Sequence, residues 1–161
     1  MERNRRIALG ADHRGFPLKE EIVRLLKRKR FSVTDYGTHS EESCDYPDFI
    51  LKAAQAVARR KADRAIVVCH TGIGSAIMAN KVKGVRAALV QNVEQAGLSR
   101  AHNDSNVLVL GAGFVKPTLA KKIVETWLKT PFEGGRHARR LAKITRYEKG
   151  SSRERTQTNR P

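Results

Sequence analysis

The segment Ala65–Lys81, AIVVCHTGIGSAIMANK, contains two features that could do chemistry: a cysteine after an apolar run, and a glycine-rich turn behind it. Cys69 is predicted to end a buried strand. Gly72 and Gly74 lie in a turn before a predicted helix, whose first N–H groups can bind an anion. A helix N-terminus also favours the thiolate, so a base or a nucleophile is possible at Cys69. The competing interpretation is structural, because such turns are common and most free cysteines are small buried apolar residues.

The sequence of this turn does not match several familiar functional motifs. No GK[ST] follows it, so it is not a Walker loop, and it does not match GxGxxG either. His70 adjoins Cys69, but neighbouring residues of an extended segment point to opposite sides, so the two do not form a Cys–His dyad.

Three other short segments carry side chains that can bind sugar hydroxyls or phosphate. They are GADHRGF with Asp12 and His13, RAHNDSN with His102 and Asn103, and GGRHARR with Arg136, His137 and Arg140. Arg136 and Arg140 are one helical turn apart and could bind a phosphate together. Each segment also has a structural interpretation: a helix cap at Asp12, a surface cap at His102, and a solvated basic face.

These residues are positioned by alternating strands and helices. The predicted strands are RIALGA, FSVTDYG, RAIVVC, VRAALV and VLVLGAG, and the predicted helices include PLKEEIVRLLKRKR, PDFILKAAQAVARRK, EQAGLSRAHN, PTLAKKIVETWLKT and GGRHARRLAKITRYEKG. This alternation predicts an α/β fold with a parallel sheet covered by helices on both faces. Ligands of such sheets bind beyond the carboxyl ends of the strands. Residues 1–148 are predicted to form one domain, and the polar residues 149–161 a disordered tail.

The composition limits the class of protein. The chain has 161 residues, a net charge of +16 and two cysteines, Cys44 and Cys69. It has no long apolar run and no apolar region near its start, so neither a membrane span nor a secretory signal is predicted. Two cysteines do not make a disulfide scaffold, and we expect a cytoplasmic protein with free thiols. The basic residues are scattered and not interleaved with aromatic residues, which favours a solvated basic surface over a specific nucleic-acid site.

The motifs occur in an order that resembles a known family, the ribose-5-phosphate isomerase B / galactose-6-phosphate isomerase family of sugar-phosphate isomerases. The resemblance covers roughly residues 5–145. The matching segments are GADHRGFPLKEEI, DYGTHSEESCDYPDF, CHTGIGSAIMANK, GVRAAL, SRAHNDSNVLVLGA and TPFEGGRHARR. The resemblance implies a Rossmann-like three-layer sandwich with a five-stranded parallel sheet and a C-terminal helix used in dimerisation.

The resemblance also implies a reaction, the interconversion of ribose 5-phosphate and ribulose 5-phosphate through a cis-enediolate, a step of the pentose phosphate pathway. Cys69 would be the base that moves the proton, because Ser75 stands where some branches of the family have a glutamate. His102 would open the sugar ring. The implied substrate-binding residues are Asp12, His13, Thr71, Gly72, Ile73, Gly74, Asn103, Arg136, His137 and Arg140.

The resemblance implies no metal and no organic cofactor, and it implies a homodimer or a dimer of dimers whose active site is shared between subunits. Two positions depart from the family pattern, which usually has glycine at position 70 and arginine at position 113; this chain has His70 and Gly113. His70 is therefore predicted to contact the substrate and partly replace the arginine; the alternative is that His70 points away from the pocket and packs against the next loop.

Two alternative functions stay open at this point. One is the same chemistry on a six-carbon sugar phosphate, such as allose or galactose 6-phosphate. The other is a catalytically impaired basic binding protein on the same fold, which would bind nucleic acid or phosphorylated ligands.

Overall fold

The computed structural model describes residues 6–157, and the side chains of residues 6–150. The strands are β1 (Arg6–Ala11), β2 (Ser32–Asp35), β3 (Arg64–Cys69), β4 (Ala87–Leu89) and β5 (Val107–Gly111). The helices are α1 (Phe16–Arg28), α2 (Tyr46–Ala58), α3 (Ile73–Asn80), α4 (Val93–Ala101), α5 (Pro117–Lys129) and α6 (Arg136–Gln157). No helix in this part of the chain is both long enough and apolar enough to cross a membrane.

The five strands form one parallel sheet in the order β2-β1-β3-β5-β4. The predicted parallel sheet and Rossmann-like architecture are therefore confirmed. The two central strands, β3 and β5, are buried along their whole length, as their continuous apolar sequences indicate. Each strand ends at the same edge of the sheet, which we call the carboxyl edge, and helices α1 to α5 each return the chain to the opposite, amino edge.

Two apolar cores cover the two faces of the sheet. Helices α1, α4 and α5 pack on one face, around the fully buried Ile22, Leu26 and Trp127. Helices α2 and α3 pack on the other face, where small side chains such as Ala53 and Ala54 allow α2 to lie close to the sheet. Alternate side chains of each strand serve the two cores, which is the expected consequence of the two-residue period of a strand.

Proline starts three of the helices. Prolines lie in the first turns of α1, α2 and α5, where a missing N–H costs nothing and the fixed φ angle suits the helix. The last helix, α6, extends to Gln157, into the segment whose composition predicts a disordered tail. Extending an existing helix requires no new nucleus, and that segment contains good helix formers. Residues 158–161 of the predicted tail lie outside the described residues.

A buried lysine ties the first helix to the second strand. The Lys19 side chain has no exposed surface, and its ammonium group forms an ion pair with the carboxylate of Asp35 at the end of β2. The other oxygen of Asp35 accepts a 2.9 Å hydrogen bond from the N–H of Gly37. This interaction fixes the turn that leads from β2 towards the carboxyl edge.

We predict that Lys19→Met destabilises the protein by about 3 kcal/mol, because removing one partner of a buried ion pair leaves the other charge unpaired. This value is at the low end of the destabilisation usual for a broken buried ion pair, because the Asp35 side chain is 21% exposed. Urea denaturation at constant protein concentration measures the free energy of unfolding.

The control is Arg24→Met, which breaks the exposed ion pair with Glu21 and should cost less than about 1 kcal/mol. Equal effects of the two substitutions would show that the Lys19–Asp35 pair has no special role.

Candidate active site

Cys69 is the last residue of β3 and is almost fully buried. The N–H group of Gly72 donates a 3.2 Å hydrogen bond to its sulfur. The carbonyl of Cys69 accepts from the N–H of Ala112, so the backbone on either side of the thiol is held by the neighbouring strand β5. The thiol therefore has a fixed position with a main-chain donor directed at it.

The loop after Cys69 presents backbone N–H groups at the start of α3. Gly72 has a positive φ of 78°, which turns the chain sharply into the helix. The Thr71 hydroxyl accepts a 3.1 Å hydrogen bond from the N–H of Ile73. The N–H groups of Gly74 and Ser75 have no hydrogen-bond acceptor among the described residues. These two donors are free to bind an anion or a developing negative charge beside the thiol.

Glycines in this loop make room for large side chains. A Cβ atom on Gly72 would lie 2.4 Å from Cδ1 of Leu89, and one on Gly74 would lie 2.6 Å from the phenol ring of Tyr46. Tyr46, the first residue of α2, therefore packs on the loop beside the thiol. No motif in the sequence marks Tyr46, although its place in CDYPDF, at the start of a helix at the carboxyl edge, is the signal that could have identified it.

Asp12 and His13 follow β1 at the same edge. One carboxylate oxygen of Asp12 accepts a 2.8 Å hydrogen bond from the N–H of Gly15, so Asp12 closes the turn that leads into α1. Asp12 is not the helix cap of its structural interpretation, because Gly15 is the N-cap residue of α1. Nδ1 of His13 accepts a 3.2 Å hydrogen bond from the N–H of Cys44. The proton of the neutral His13 ring therefore lies on Nε2, and this N–H is available as a donor.

His70 points away from the buried thiol, and its ring lies over Gly113. A Cβ atom on Gly113 would be 2.5–2.9 Å from three atoms of the His70 ring. The ring also contacts Phe114, with 6.2 Å between the ring centroids. His70 thus occupies the space in which a side chain at position 113 would begin, and it does so on the exposed surface of the carboxyl edge.

The remaining predicted site residues lie at the amino edge. His102 follows the end of α4, and its ring stacks on His137 with a centroid distance of 4.2 Å and an interplanar angle of 9°. Burial lowers the pKa of His137, and the nearby positive charges of Arg136 and Arg140 lower it further. Both arginines are exposed at the start of α6.

A buried hydrogen-bond network holds the chain segment that carries His102. The Trp127 indole N–H donates to the Ser105 hydroxyl at 2.8 Å, and this hydroxyl donates to Ser99 at 3.0 Å. The buried guanidinium of Arg100 donates to the carbonyl of Ser105 at 2.6 Å. The turn between α4 and β5 is therefore fixed from inside the protein, while His102 faces outwards.

The structure thus divides the predicted site into two groups. The carboxyl half-site comprises Asp12, His13 and Cys69–Gly74, and the amino half-site comprises His102, Asn103, Arg136, His137 and Arg140. Glu133, which the sequence did not predict, lies beside His102 and His137 and is counted with the amino half-site. Ala65 pairs with Val107 at one end of the β3–β5 ladder, and Cys69 pairs with Gly111 at the other. Four residues of strand separate these pairs by about 13 Å, and His102 precedes Val107 still further from Cys69. The two half-sites of one chain therefore cannot contact the same sugar carbons.

Comparisons with known proteins agree with the motifs. Residues 7–144 match the model of the Ribose/Galactose Isomerase family. The chain is similar to ribose-5-phosphate isomerase B of Escherichia coli (strain K12), with 46% identity over 144 residues, which cover 89% of this chain and 97% of that protein. It is also 46% identical over 145 residues to a probable ribose-5-phosphate isomerase B of Mycoplasma genitalium, which cover 89% of this chain and 95% of that protein.

Solved structures show the same fold. Ribose-5-phosphate isomerase B of Clostridium thermocellum superimposes with a TM-score of 0.89 and 52% identity, over 91% of this chain and 99% of that one. The Mycoplasma genitalium enzyme, solved with bound ribulose-5-phosphate, superimposes with a TM-score of 0.87 and 46% identity, over 89% of this chain and 96% of that one.

We predict that Gly72→Ala destabilises the protein by about 1–3 kcal/mol more than Gly84→Ala. Both glycines have a positive φ angle, 78° and 82°, so both alanines meet the same backbone strain. Only the Cβ at position 72 would also collide with Leu89, and overpacking of this kind costs about 1–3 kcal/mol.

The measurement is the free energy of unfolding of the two variants in urea. When both substitutions are made in a Leu89→Ala background, the difference in unfolding free energy between them should largely disappear. A difference that persists in the double variant would show that the contact with Leu89 is not its cause.

Proposed function

The chain belongs to the ribose/galactose isomerase family, and on this premise we propose that it is an aldose–ketose isomerase that interconverts ribose 5-phosphate and ribulose 5-phosphate. The single observation that carries the proposal is the thiol of Cys69, at a strand end, hydrogen-bonded by Gly72 and adjacent to unpaired N–H groups of α3. The relatives named as ribose-5-phosphate isomerase B support the choice of substrate.

Cys69 is the proposed base. Its thiolate takes the proton from C2 of the open-chain aldose, and the electron pair of that C–H bond forms the C1–C2 double bond of a cis-enediolate while the carbonyl oxygen becomes negative. Cys69 then returns the proton to C1, the proton of the C2 hydroxyl passes to the negative oxygen on C1, and the electron pair left on the C2 oxygen forms the carbonyl of the ketose. A single base suffices because the proton leaves C2 and returns to C1 on the same face of the planar cis-enediolate.

The free N–H groups of Gly74 and Ser75 are the proposed donors to the negative oxygen of the intermediate. They are fixed at the start of α3 before the substrate arrives, so no reorganisation is needed when the charge develops. The Nε2–H of His13 is directed to a sugar hydroxyl or the phosphate in this proposal. Asp12 holds the turn on which His13 lies, and a role for Asp12 in direct binding remains a prediction.

The amino half-site opens the sugar ring and binds the phosphate in this proposal. His102 transfers a proton to the ring oxygen, Asn103 binds a hydroxyl, and Arg136 and Arg140 bind the dianion with His137. Because this half-site is more than about 13 Å from Cys69 of the same chain, it must serve the carboxyl half-site of a second copy. A homodimer with two shared active sites follows, and a dimer of dimers is compatible with it.

Exposed apolar side chains support a second copy as the partner. Ile73 and Ile77 of α3 are 56% and 58% exposed, and Ile144 and Tyr147 of α6 are 50% and 78% exposed. A groove of about 550 Å³ lies between α6, the end of α3 and the edge strand β4. These surfaces adjoin both half-sites, so burying them in a two-fold interface would bring the carboxyl half-site of one chain to the amino half-site of the other.

Mixing two inactive variants tests the shared site. Cys69→Ala and His102→Asn are each predicted to lose most of the turnover of ribose 5-phosphate. A hybrid dimer of the two contains one intact and one doubly defective site. Random pairing makes about half of the dimers hybrids, so subunit exchange should restore about a quarter of the wild-type activity.

Two controls make this test specific. Cys69→Ala mixed with Cys69→Ser carries both defects in the same half-site and should not recover. Cys44→Ser is the second control. Cys44 lies beside His13, but it is not the proposed base, so this variant should keep most of the activity. Near-normal turnover of Cys69→Ala would contradict the base, and no recovery in the His102 mixture would contradict the shared site.

The contact between His70 and Gly113 generates a prediction about substrate binding. We predict that His70→Gly raises KM. Adding Gly113→Arg should lower KM again, because the arginine side chain can then occupy the space that the imidazole has left. Gly113→Arg alone collides with the His70 ring and should bind substrate poorly. The double-mutant cycle on kcat/KM is therefore expected to show a coupling of about 0.5 kcal/mol or more.

Assays with ribose 5-phosphate and with allose and galactose 6-phosphates give the outcome. Strict additivity, or an unchanged KM for His70→Gly with every substrate, would show that His70 does not contact the substrate. A preference for a six-carbon substrate in the wild-type chain would replace the proposed substrate and keep the proposed chemistry.

A cytoplasmic location is also part of the proposal, supported by the free thiols Cys44 and Cys69.

A further inference from the structure

Three potential metal ligands converge in the amino half-site. Oε2 of Glu133 lies 3.8 Å from Nε2 of His102 and 3.7 Å from Nε2 of His137, distances too long for hydrogen bonds. The three ligand atoms lie within 4.8 Å of one another. Nε2 of His137 is buried and has no hydrogen-bond partner among the described residues. Since buried polar atoms are normally paired, this nitrogen marks a position where a ligand can bind.

From this geometry we propose that His102, Glu133 and His137 bind a transition-metal ion of the zinc class. Zinc takes imidazole nitrogen and carboxylate oxygen at about 2.0–2.2 Å, which places the ligand atoms of a tetrahedral site about 3.4 Å apart. The two Nε2–Oε2 distances exceed this value by only a few tenths of an ångström. The Glu133 side chain is 57% exposed and can rotate to close the gap.

The backbone holds the three ligands in place. The N–H of Glu133 donates a 3.0 Å hydrogen bond to the carbonyl of Ala101, which attaches the Glu133 loop to the end of α4 beside His102. His137 lies in the first turn of α6, and its ring is stacked on that of His102. Because a bound ion lies in the plane of each imidazole, the two rings must rotate out of their parallel stack to share it. Two histidines and one carboxylate leave the fourth position of the ion open to water or an anion.

The surrounding charges and the ligand types determine the affinity of the site for a metal ion and its selectivity among ions. Arg136 and Arg140 flank His137 and repel a divalent cation, so the affinity is lower than that of a structural zinc site with thiolate ligands. The same arginines favour an anion in the fourth position. Imidazole and carboxylate suit zinc and the neighbouring transition metals, whereas Mg²⁺ and Ca²⁺ prefer sites made only of oxygen atoms.

The bound ion is an inhibitor in this proposal and not a cofactor, and this part rests on the proposed function. A metal on Nε2 of His102 removes the group that opens the sugar ring, and a metal on His137 removes a phosphate ligand. Zinc should therefore inhibit the turnover of ribose 5-phosphate, and a chelator should restore it.

Direct binding tests the site without any assay of activity. The full-length protein, treated with a chelator and dialysed, is titrated with Zn²⁺ by equilibrium dialysis and with Co²⁺ by visible absorption. We expect one ion per chain and four-coordinate Co²⁺ bands. E133Q and H102N should each weaken Zn²⁺ binding at least tenfold, because loss of a ligand costs at least as much as loss of a residue that orients one. Glu133 is on the surface, so E133Q keeps the fold.

Matched controls locate the ion. H39N removes an exposed histidine at the carboxyl edge and should leave Zn²⁺ binding unchanged. Zinc binding unaffected by E133Q and H102N overturns the proposal, and so does binding that is lost only in C44S or C69S, because the ion is then held by a thiol of the carboxyl half-site. A protein that binds Zn²⁺ through Glu133 but does not isomerise ribose 5-phosphate keeps the metal site and refutes the proposed function.

Discussion

The parallel direction of the five strands is the constraint on which the rest of this structure depends. In a parallel sheet, residues that follow strands collect at one edge, and residues that follow helices collect at the other. Cys69 lies at the end of a strand and His102 at the end of a helix, so one chain carries the two halves of the proposed site at opposite edges of the sheet. A proton can be transferred only over hydrogen-bond distance, and the proposed chemistry therefore needs a second copy of the chain.

The two half-sites use different sources of charge. In the proposed mechanism the carboxyl half-site faces the reacting carbons with main-chain N–H groups at the start of α3, which stabilise a developing negative charge without carrying a net charge of their own. The amino half-site contributes Arg136, Arg140 and two imidazoles, which suit a phosphate dianion. The same imidazoles, with Glu133, are the donor set of a zinc ion. In the two proposals, anion binding and metal binding therefore compete for the same side chains.

Glycines and their neighbours form complementary pairs around the thiol. Leu89 fills the space beside Gly72, the Tyr46 ring fills the space beside Gly74, and the His70 ring fills the space beside Gly113. In each pair the missing Cβ of the glycine allows a larger side chain to approach the backbone. A substitution at one member therefore has to be interpreted together with the other, which applies above all to His70 and Gly113, where this chain departs from the family pattern.

The sequence by itself determined the parallel sheet, the order of its elements and the family, because short apolar runs, proline-started helices and ordered motifs are local signals. It also predicted Cys69 as the base and an anion-binding turn behind it, since both lie within one continuous segment. Only the tertiary structure decided that Gly72 donates to the thiol, that Tyr46 packs on the loop, and that Glu133 joins His102 and His137. These contacts join residues distant in the chain or turn on local backbone geometry, and no local pattern records where a fold brings them together.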